Sequence, residues 1–293
     1  MGIIDNIKKD AIKTGSKIQT SESSKIDVLL NKMFYLPKNI GEETKFVKQV
    51  MTRGLESQER VGLHASAMIV SDQQFCVRQQ VLSLVYKQLQ GEQLPVQTMR
   101  IFEEGNAIHE KWQRLFIRAG YAKAKTLDRT RVDNDYLISY TPDIVCRIPD
   151  YCDFVIVGEI KSVNPMIFKK MDEHKSAHKQ LQFYMFLLIK AAKDKGIWNG
   201  KDYTKGIVLC DNKGMQDFKT FVYDYEPETV APFIERCEAV KHYYHEFINK
   251  RKMFERKKEC DSSSCKMASK CPMRDACWNI GMGRVRINGK TKS

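Results

Sequence analysis

Two short segments carry residue types suited to hydrolysing a phosphodiester: Tyr140-Thr141-Pro142-Asp143 and Val157-Gly158-Glu159-Ile160-Lys161. That reaction needs a cation to bind the phosphate and to make hydroxide from water near neutral pH. Mg²⁺ or Mn²⁺ takes hard oxygen ligands, usually one or two carboxylates completed by water and phosphate. Asp143 and Glu159 supply two carboxylates toward the ends of what read as adjacent strands. Side chains alternate along a strand, so Glu159 and Lys161 share a face and Ile160 points the other way, into the core. Lys161 then stands beside the metal, suited to orient the attacking water or to offset charge on the transition-state phosphate. An isolated Glu-x-Lys more often means a surface salt bridge, so the reading depends on the elements around it.

Those elements alternate in period. Ser66 to Leu89 and Gln97 to Ala119 carry helical apolar stripes, the second built on Ile101, Ile108, Trp112, Leu115 and Phe116. Tyr136 to Ile148 and Phe154 to Ile160 are rich in β-branched and aromatic residues and are parted by Pro149, Asp150 and Asp153, a predicted β-hairpin. His178 to Lys193 is again helical. Gly206 to Cys210 and Phe218 to Tyr225 read as strands, and a long helix is expected from Pro227 to Lys258. The order predicts a mixed central β-sheet flanked by helices, of the α/β (α+β) class. Three regions are expected: an N-terminal extension over 1–60, a core over 61–258, and a cysteine-rich basic tail over 259–293 that packs back on the core. Ile3, Ile4 and Ile7 of the extension are expected to dock on the body.

The longest uninterrupted apolar run, Phe183 to Ile189, is far short of the roughly 20 residues that span a bilayer. Asp5, Lys8, Lys9 and Asp10 stand where a secretory leader would be apolar, so a cytoplasmic protein with no membrane partner is expected. The formal charge is +13, and from Lys241 to Ser293 14 Lys and Arg face five Asp and Glu, a net of +9. A basic tail of this kind suits a polyanion, most often nucleic acid. The Lys-rich stretch from Lys250 to Lys258 is expected to contact phosphates.

Nine cysteines, an odd number without an export signal, argue against a disulfide framework. Four of them crowd together as Cys260-x4-Cys265-x5-Cys271-x5-Cys277, which favours metal ligation by thiolates, either a structural Zn²⁺ or an iron–sulfur cluster. Cys146, Cys152, Cys210 and Cys237 read as ordinary buried residues. His174 and His178 have the i, i+4 spacing of a helical zinc pair, but Lys175 stands where a zinc protease carries Glu; they are expected to be solvated or to face phosphate.

In this company the sequence resembles the PD-(D/E)XK nucleases, particularly the RecB-type and CRISPR adaptation-type iron–sulfur exonucleases. Those families carry G-x3-H on a helix before the acidic strand, as in Gly105-Asn106-Ala107-Ile108-His109, and Q-x3-Y on the following helix, as in Gln180-Leu181-Gln182-Phe183-Tyr184. The match runs from about Ser66 to Tyr225. Thr141-Pro142 departs from it, since many relatives have a glycine near the aspartate. The resemblance implies a restriction-endonuclease-like core, with His109, Asp143, Glu159 and the Ile160 carbonyl as Mg²⁺ or Mn²⁺ ligands. It assigns catalysis to Asp143, Glu159 and Lys161, with Gln180 and Tyr184 positioning the site or the DNA strand. It also implies a [4Fe–4S] cluster on Cys76, Cys265, Cys271 and Cys277, leaving Cys260 spare, with Val77 where relatives commonly have Pro. The expected activity is exonucleolytic cleavage of single-stranded or end-frayed DNA in recombination, repair or replication. Two rivals stand beside it: a sequence-specific endonuclease of the same superfamily, and a non-catalytic nucleic-acid-binding module whose tail is stabilised by zinc or a cluster.

Overall fold

The computed structural model describes residues 25–29, 63–86, 96–127, 129–250, 254–279, 285–287 and 290–292. In chain order these hold β1 (Leu63–His64), α1 (Val77–Val85), α2 (Val96–Arg118), β2 (Arg131–Asp133), β3 (Ile138–Tyr140), β4 (Ile144–Cys146) and β5 (Ile156–Val163). There follow α3 (Pro165–Lys170), α4 (Lys175–Asp194), β6 (Lys205–Asn212), β7 (Phe218–Asp224) and α5 (Pro227–Lys250). The tail contributes α6 (Lys266–Ser269), α7 (Arg274–Asn279), β8 (Val285–Ile287) and β9 (Lys290–Lys292).

The main sheet has the order β4-β5-β6-β7, with β5 and β6 parallel and the outer pairs antiparallel. Parallel neighbours need a long crossover, and α3 with α4 supplies it. Strand alternation sorts the core onto two faces. Ile156, Ile160, Ile207 and Leu209 pack with Trp112, Leu115 and Phe116 of α2. Val157, Val163, Val208 and Cys210 pack with Leu181, Phe183 and Met185 of α4 and Val230 and Phe233 of α5. Two glycines let these layers close. A Cβ on Gly158 would come within 2.8 Å of Ile144, and one on Gly206 within 2.8 Å of Leu181. The architecture is therefore a mixed sheet between helices, as the pattern predicts.

Several boundaries move. The segment expected as a single strand from Tyr136 to Ile148 is broken at Thr141-Pro142-Asp143. Only β4 joins β5, while β3 lies in a second mixed sheet ordered β1-β3-β2. Proline has no amide hydrogen for a ladder, so Pro142 suits the break. The helix expected from Ser66 begins at Val77, after turns over Ser71 to Phe75. The helix expected to reach Lys258 is described to Lys250, and Phe254 to Arg256 lie outside any helix. There the Phe254 ring stacks on Tyr243 at 4.1 Å and its carbonyl accepts from Arg78, which draws the chain off the helical path. Lys257 Nζ donates to the Asp72 carbonyl at 2.7 Å, and Arg256 lies over Trp278 at 3.9 Å. Lys257 thus meets the turn before α1, and Arg256 meets the last helix of the tail.

Most of the expected extension, including Ile3, Ile4 and Ile7, lies outside the described residues. Residues 25–29 form a helical turn whose Ile26 and Leu29 enter the α2-side core. Among the described residues no helix is long and apolar enough to cross a membrane. Gln182 of α4 closes the joint between β7 and α5. Its Nε2 donates to the Asp224 carbonyl at 2.7 Å, and its Oε1 accepts from the Glu226 amide at 2.8 Å.

Candidate active site

The acidic residues meet because the β4–β5 register, Ile144 opposite Gly158, runs one step further to set Asp143 across from Glu159. Asp143 Oδ2 accepts from the Ile160 amide at 2.8 Å, and its Oδ1 lies 3.2 Å from His109 Nδ1. Asp143 also offers its main-chain carbonyl to Gln113 Nε2 at 2.9 Å. His109 and Gln113 are one helical turn apart on α2, so one face of that helix grips the aspartate on two sides.

Beside it, Lys161 Nζ donates to Glu159 Oε1 at 2.5 Å and to Gln180 Oε1 at 3.1 Å. Gln180 Nε2 donates in turn to the Tyr184 hydroxyl at 2.9 Å, again across one helical turn. Ile160 is fully buried on the α2 side, as its place between Glu159 and Lys161 predicts. His109 with Asp143, and Glu159 with Lys161, Gln180 and Tyr184, thus form two bonded groups that the strand register brings side by side into one polar chain at the end of the sheet.

Its electrostatics are strained. Glu159 is 1% exposed, and its Oε2 is buried with no hydrogen-bond partner. Burial, with the Asp143 charge beside it, pushes the Glu159 carboxyl up to about 8 against the pull of Lys161. Burial works to lower the His109 pKa, but the hydrogen bond and charge of Asp143, helped by Glu159, raise it overall. Lys161 is likewise raised, Glu159 and Asp143 outweighing burial. Burial holds the Tyr184 phenol well above 10, so it keeps its proton while its oxygen accepts from Gln180.

Sequence reasoning passed over Gln113 and Asp211. Asp211 ends the apolar run of β6 and is 5% exposed. It accepts from Trp112 Nε1 at 2.7 Å and from Lys111, both on α2. It thereby fixes the helix that carries His109. The signal was available: a lone acid closing a buried strand needs a partner.

His174 and His178, the pair with i, i+4 spacing, are each engaged within the fold. His174 caps α4, its Nδ1 accepting from the Ala177 amide at 3.3 Å, and burial together with the Lys161 charge lowers its pKa. His178 stacks on Tyr223 at 4.0 Å, so it is packed rather than solvated. Among the described residues, Asp133, Asp135 and Asp194 are the one set of three His, Cys, Asp or Glu side chains whose ligand atoms all lie within 4.8 Å of one another, a spacing that His109, Asp143 and Glu159 do not meet. The Lys190 ammonium already sits among them, at 3.1, 2.6 and 2.7 Å.

The tail returns to α1. Cys76, Cys260, Cys271 and Cys277 line one cavity, whose empty volume of about 460 Å³ includes its open mouth. Cys265 is hydrogen-bonded to Cys260 and takes the Ala268 amide on its sulfur at 3.3 Å, which with other amides lowers its thiol pKa. The structure therefore gathers five cysteines and sets Cys260 among them rather than apart. Arg78, 7% exposed, donates through Nε to Cys277 Sγ at 3.1 Å. Cys146, Cys210 and Cys237 are buried as expected; Cys152 is only half-buried, its thiol donating to the Phe154 carbonyl at 3.4 Å.

No family model and no curated protein matches this chain. Among solved structures, the chain is similar to one described as the crystal structure of SSO0001. The two are 15% identical with a TM-score of 0.40, over 80% of this chain and 98% of that one.

Proposed function

We propose that this chain is a Mg²⁺- or Mn²⁺-dependent DNA nuclease with a PD-(D/E)XK core, acting on single-stranded or end-frayed DNA. The observation that carries the proposal is Glu159 Oε2, a carboxylate oxygen buried without a partner beside a second carboxylate. Such a group is costly unless a cation completes it. His109, Asp143 and Glu159 would hold the ion together with the Ile160 carbonyl, a donor set that suits a hard cation. A divalent ion bound there supplies charge for the phosphate and acidifies a coordinated water. Lys161, kept protonated, is placed to orient that water or to face the phosphate, and Gln180 fixes its ammonium. Tyr184, holding its proton, orients Gln180.

For the tail, the return of Cys76 to the cysteines of the tail and the contact of Arg78 with Cys277 favour an iron–sulfur cluster. Cys76, Cys271 and Cys277 would hold it with Cys265 or Cys260. The buried Arg78 guanidinium, aimed at a sulfur, suits an anionic group.

The test is cleavage of a labelled oligodeoxynucleotide by Glu159→Gln and Asp143→Asn in Mg²⁺ or Mn²⁺. Both variants should fall below detection while still binding the strand. Chelator-sensitive cleavage at the wild-type rate in Glu159→Gln would remove the assignment.

A further inference from the structure

Nine large apolar side chains among the described residues are prominently exposed, and five of them gather at the end of the sheet that holds the polar chain. Met166 (79% exposed) and Ile167 (61%) lie on α3, which starts two residues after β5 ends. Met215 (59%) lies on the β6–β7 turn, where Gly214 packs so closely on Pro165 that a Cβ would come within 2.5 Å of it. Ile101 and Phe102 belong to α2, which Glu104 ties to that same turn through Lys213 at 3.3 Å. These contacts put α2, α3 and the turn on one rim.

Phe102 is the informative member. Together with Gly105 and His109 it forms an i, i+3, i+7 stripe, and a Cβ placed on Gly105 would lie 3.7 Å from Ser162 Oγ of β5. The face that delivers His109 therefore also carries a half-exposed aromatic ring, about 10 Å further along the helix axis. That is roughly three stacked nucleotides at about 3.4 Å each. Flanking the apolar tips, Lys169 and Lys170 are exposed, and neither forms an ion pair among the described residues. An apolar ledge with a planar ring and unpaired ammonium groups suits one ligand chemistry, an unpaired nucleic-acid strand. Its bases stack on apolar and aromatic surfaces while its phosphates take the cations. A flat protein partner would leave those ammonium groups without counter-charges.

We infer that Phe102, Met166, Ile167 and Met215 form a ledge that takes the unpaired bases next to the phosphate held at Asp143 and Glu159. The inference rests on the nuclease reading and adds to it a base-contacting surface without hydrogen-bond readout, hence one indifferent to sequence.

The test measures binding of a single-stranded oligodeoxynucleotide, and of the same strand with abasic sites near one end, to the intact protein in chelator. The wild type should prefer the base-bearing strand by about tenfold, the low end of what stacking contributes. Phe102→Ser and the double variant Met166→Ser/Ile167→Ser should bind both strands alike, and Phe102→Trp should restore the preference. Equal binding of the two strands by the wild type, or an undiminished preference in both variants, overturns the ledge. So does a change in sedimenting mass with the preference intact, which would make the surface a contact between copies. Metal-dependent cleavage by the wild type is read separately on the base-bearing strand. Its absence alongside an intact base preference removes the nuclease reading and leaves the surface.

Discussion

The polar chain at the sheet end and the cysteine cavity in the tail are built on opposite plans. Each polar side chain in the first is set by a strand step or a helical turn. Asp143 faces Glu159 by register, His109 and Gln113 share a helix face, and Gln180 reaches Tyr184 along another. The cavity has little such support. Cys76 and Cys265 sit at helix N-termini, and α6 and α7 have four and six residues. Helices so short do not stand alone in water. The small core that joins them to α1 is Leu82, Met273 and Ala276. One group is held in place by strand pairing and helical turns, whereas the other rests on loops, short helices and a small core.

The sharpest way to break this contrast is to remove ligands from the cavity. Cys76→Ser and Cys271→Ser should each lose nearly all bound iron, and the tail should become protease-sensitive, because metal binding and local folding are one process there. Iron and zinc analysis with limited proteolysis reads the outcome. Full metal content in Cys76→Ser would show a site local to the tail. Parallel measurements on Cys260→Ser and Cys265→Ser decide which of the two completes the set.

A smaller effect is expected at the sheet end from Asp211→Asn. The change should weaken the grip on Lys111 and Trp112 without touching a ligand. A displaced His109 should then weaken Mn²⁺ binding by about tenfold, in the range reported for residues that orient metal ligands. Calorimetric titration with Mn²⁺ checks this, and unchanged affinity would make Asp211 a purely structural residue.

The smallest effect concerns pH. Glu159 is raised in the fold, so between its ordinary value of 4.5 and about 8 the unfolded chain releases a proton that the folded one keeps. Stability conferred at low pH should therefore be lost as pH rises through that window. In chelator, Tm should fall by at least about 2 °C between pH 5 and 8 beyond any fall in Glu159→Gln. Parallel Tm curves for the two proteins would show that Glu159 ionises freely.

Periodicity carried much of the fold. Trp112, Leu115 and Phe116 mark one layer and Leu181 and Met185 another, because burying a helix face requires apolar residues every three or four positions. The broken strand at Thr141-Pro142-Asp143 was harder to read, since β-branched and aromatic residues flank both halves and only pairing tells them apart. The end of α5 was hidden for a different reason. Lys250 to Lys258 has good helix formers, and it is the distant Arg78, Asp72 and Tyr243 that turn the chain aside. Within the candidate site, residues joined by short spacings were legible, such as Glu159 with Lys161 and Gln180 with Tyr184. Asp211 and Gln113 were not, because their partners lie 99 and 30 residues away.

Gln182, one residue pair along from Gln180, has a consequence for how the molecule comes apart. Its single amide group serves the last carbonyl of β7 and the first amide before α5. Opening that joint uncovers two backbone groups and a buried carboxamide together, so the crossover helix, the β6–β7 hairpin and α5 should detach as one cooperative unit. Fraying from the chain's C-terminal side should therefore stop at the tail and leave the end of the sheet closed.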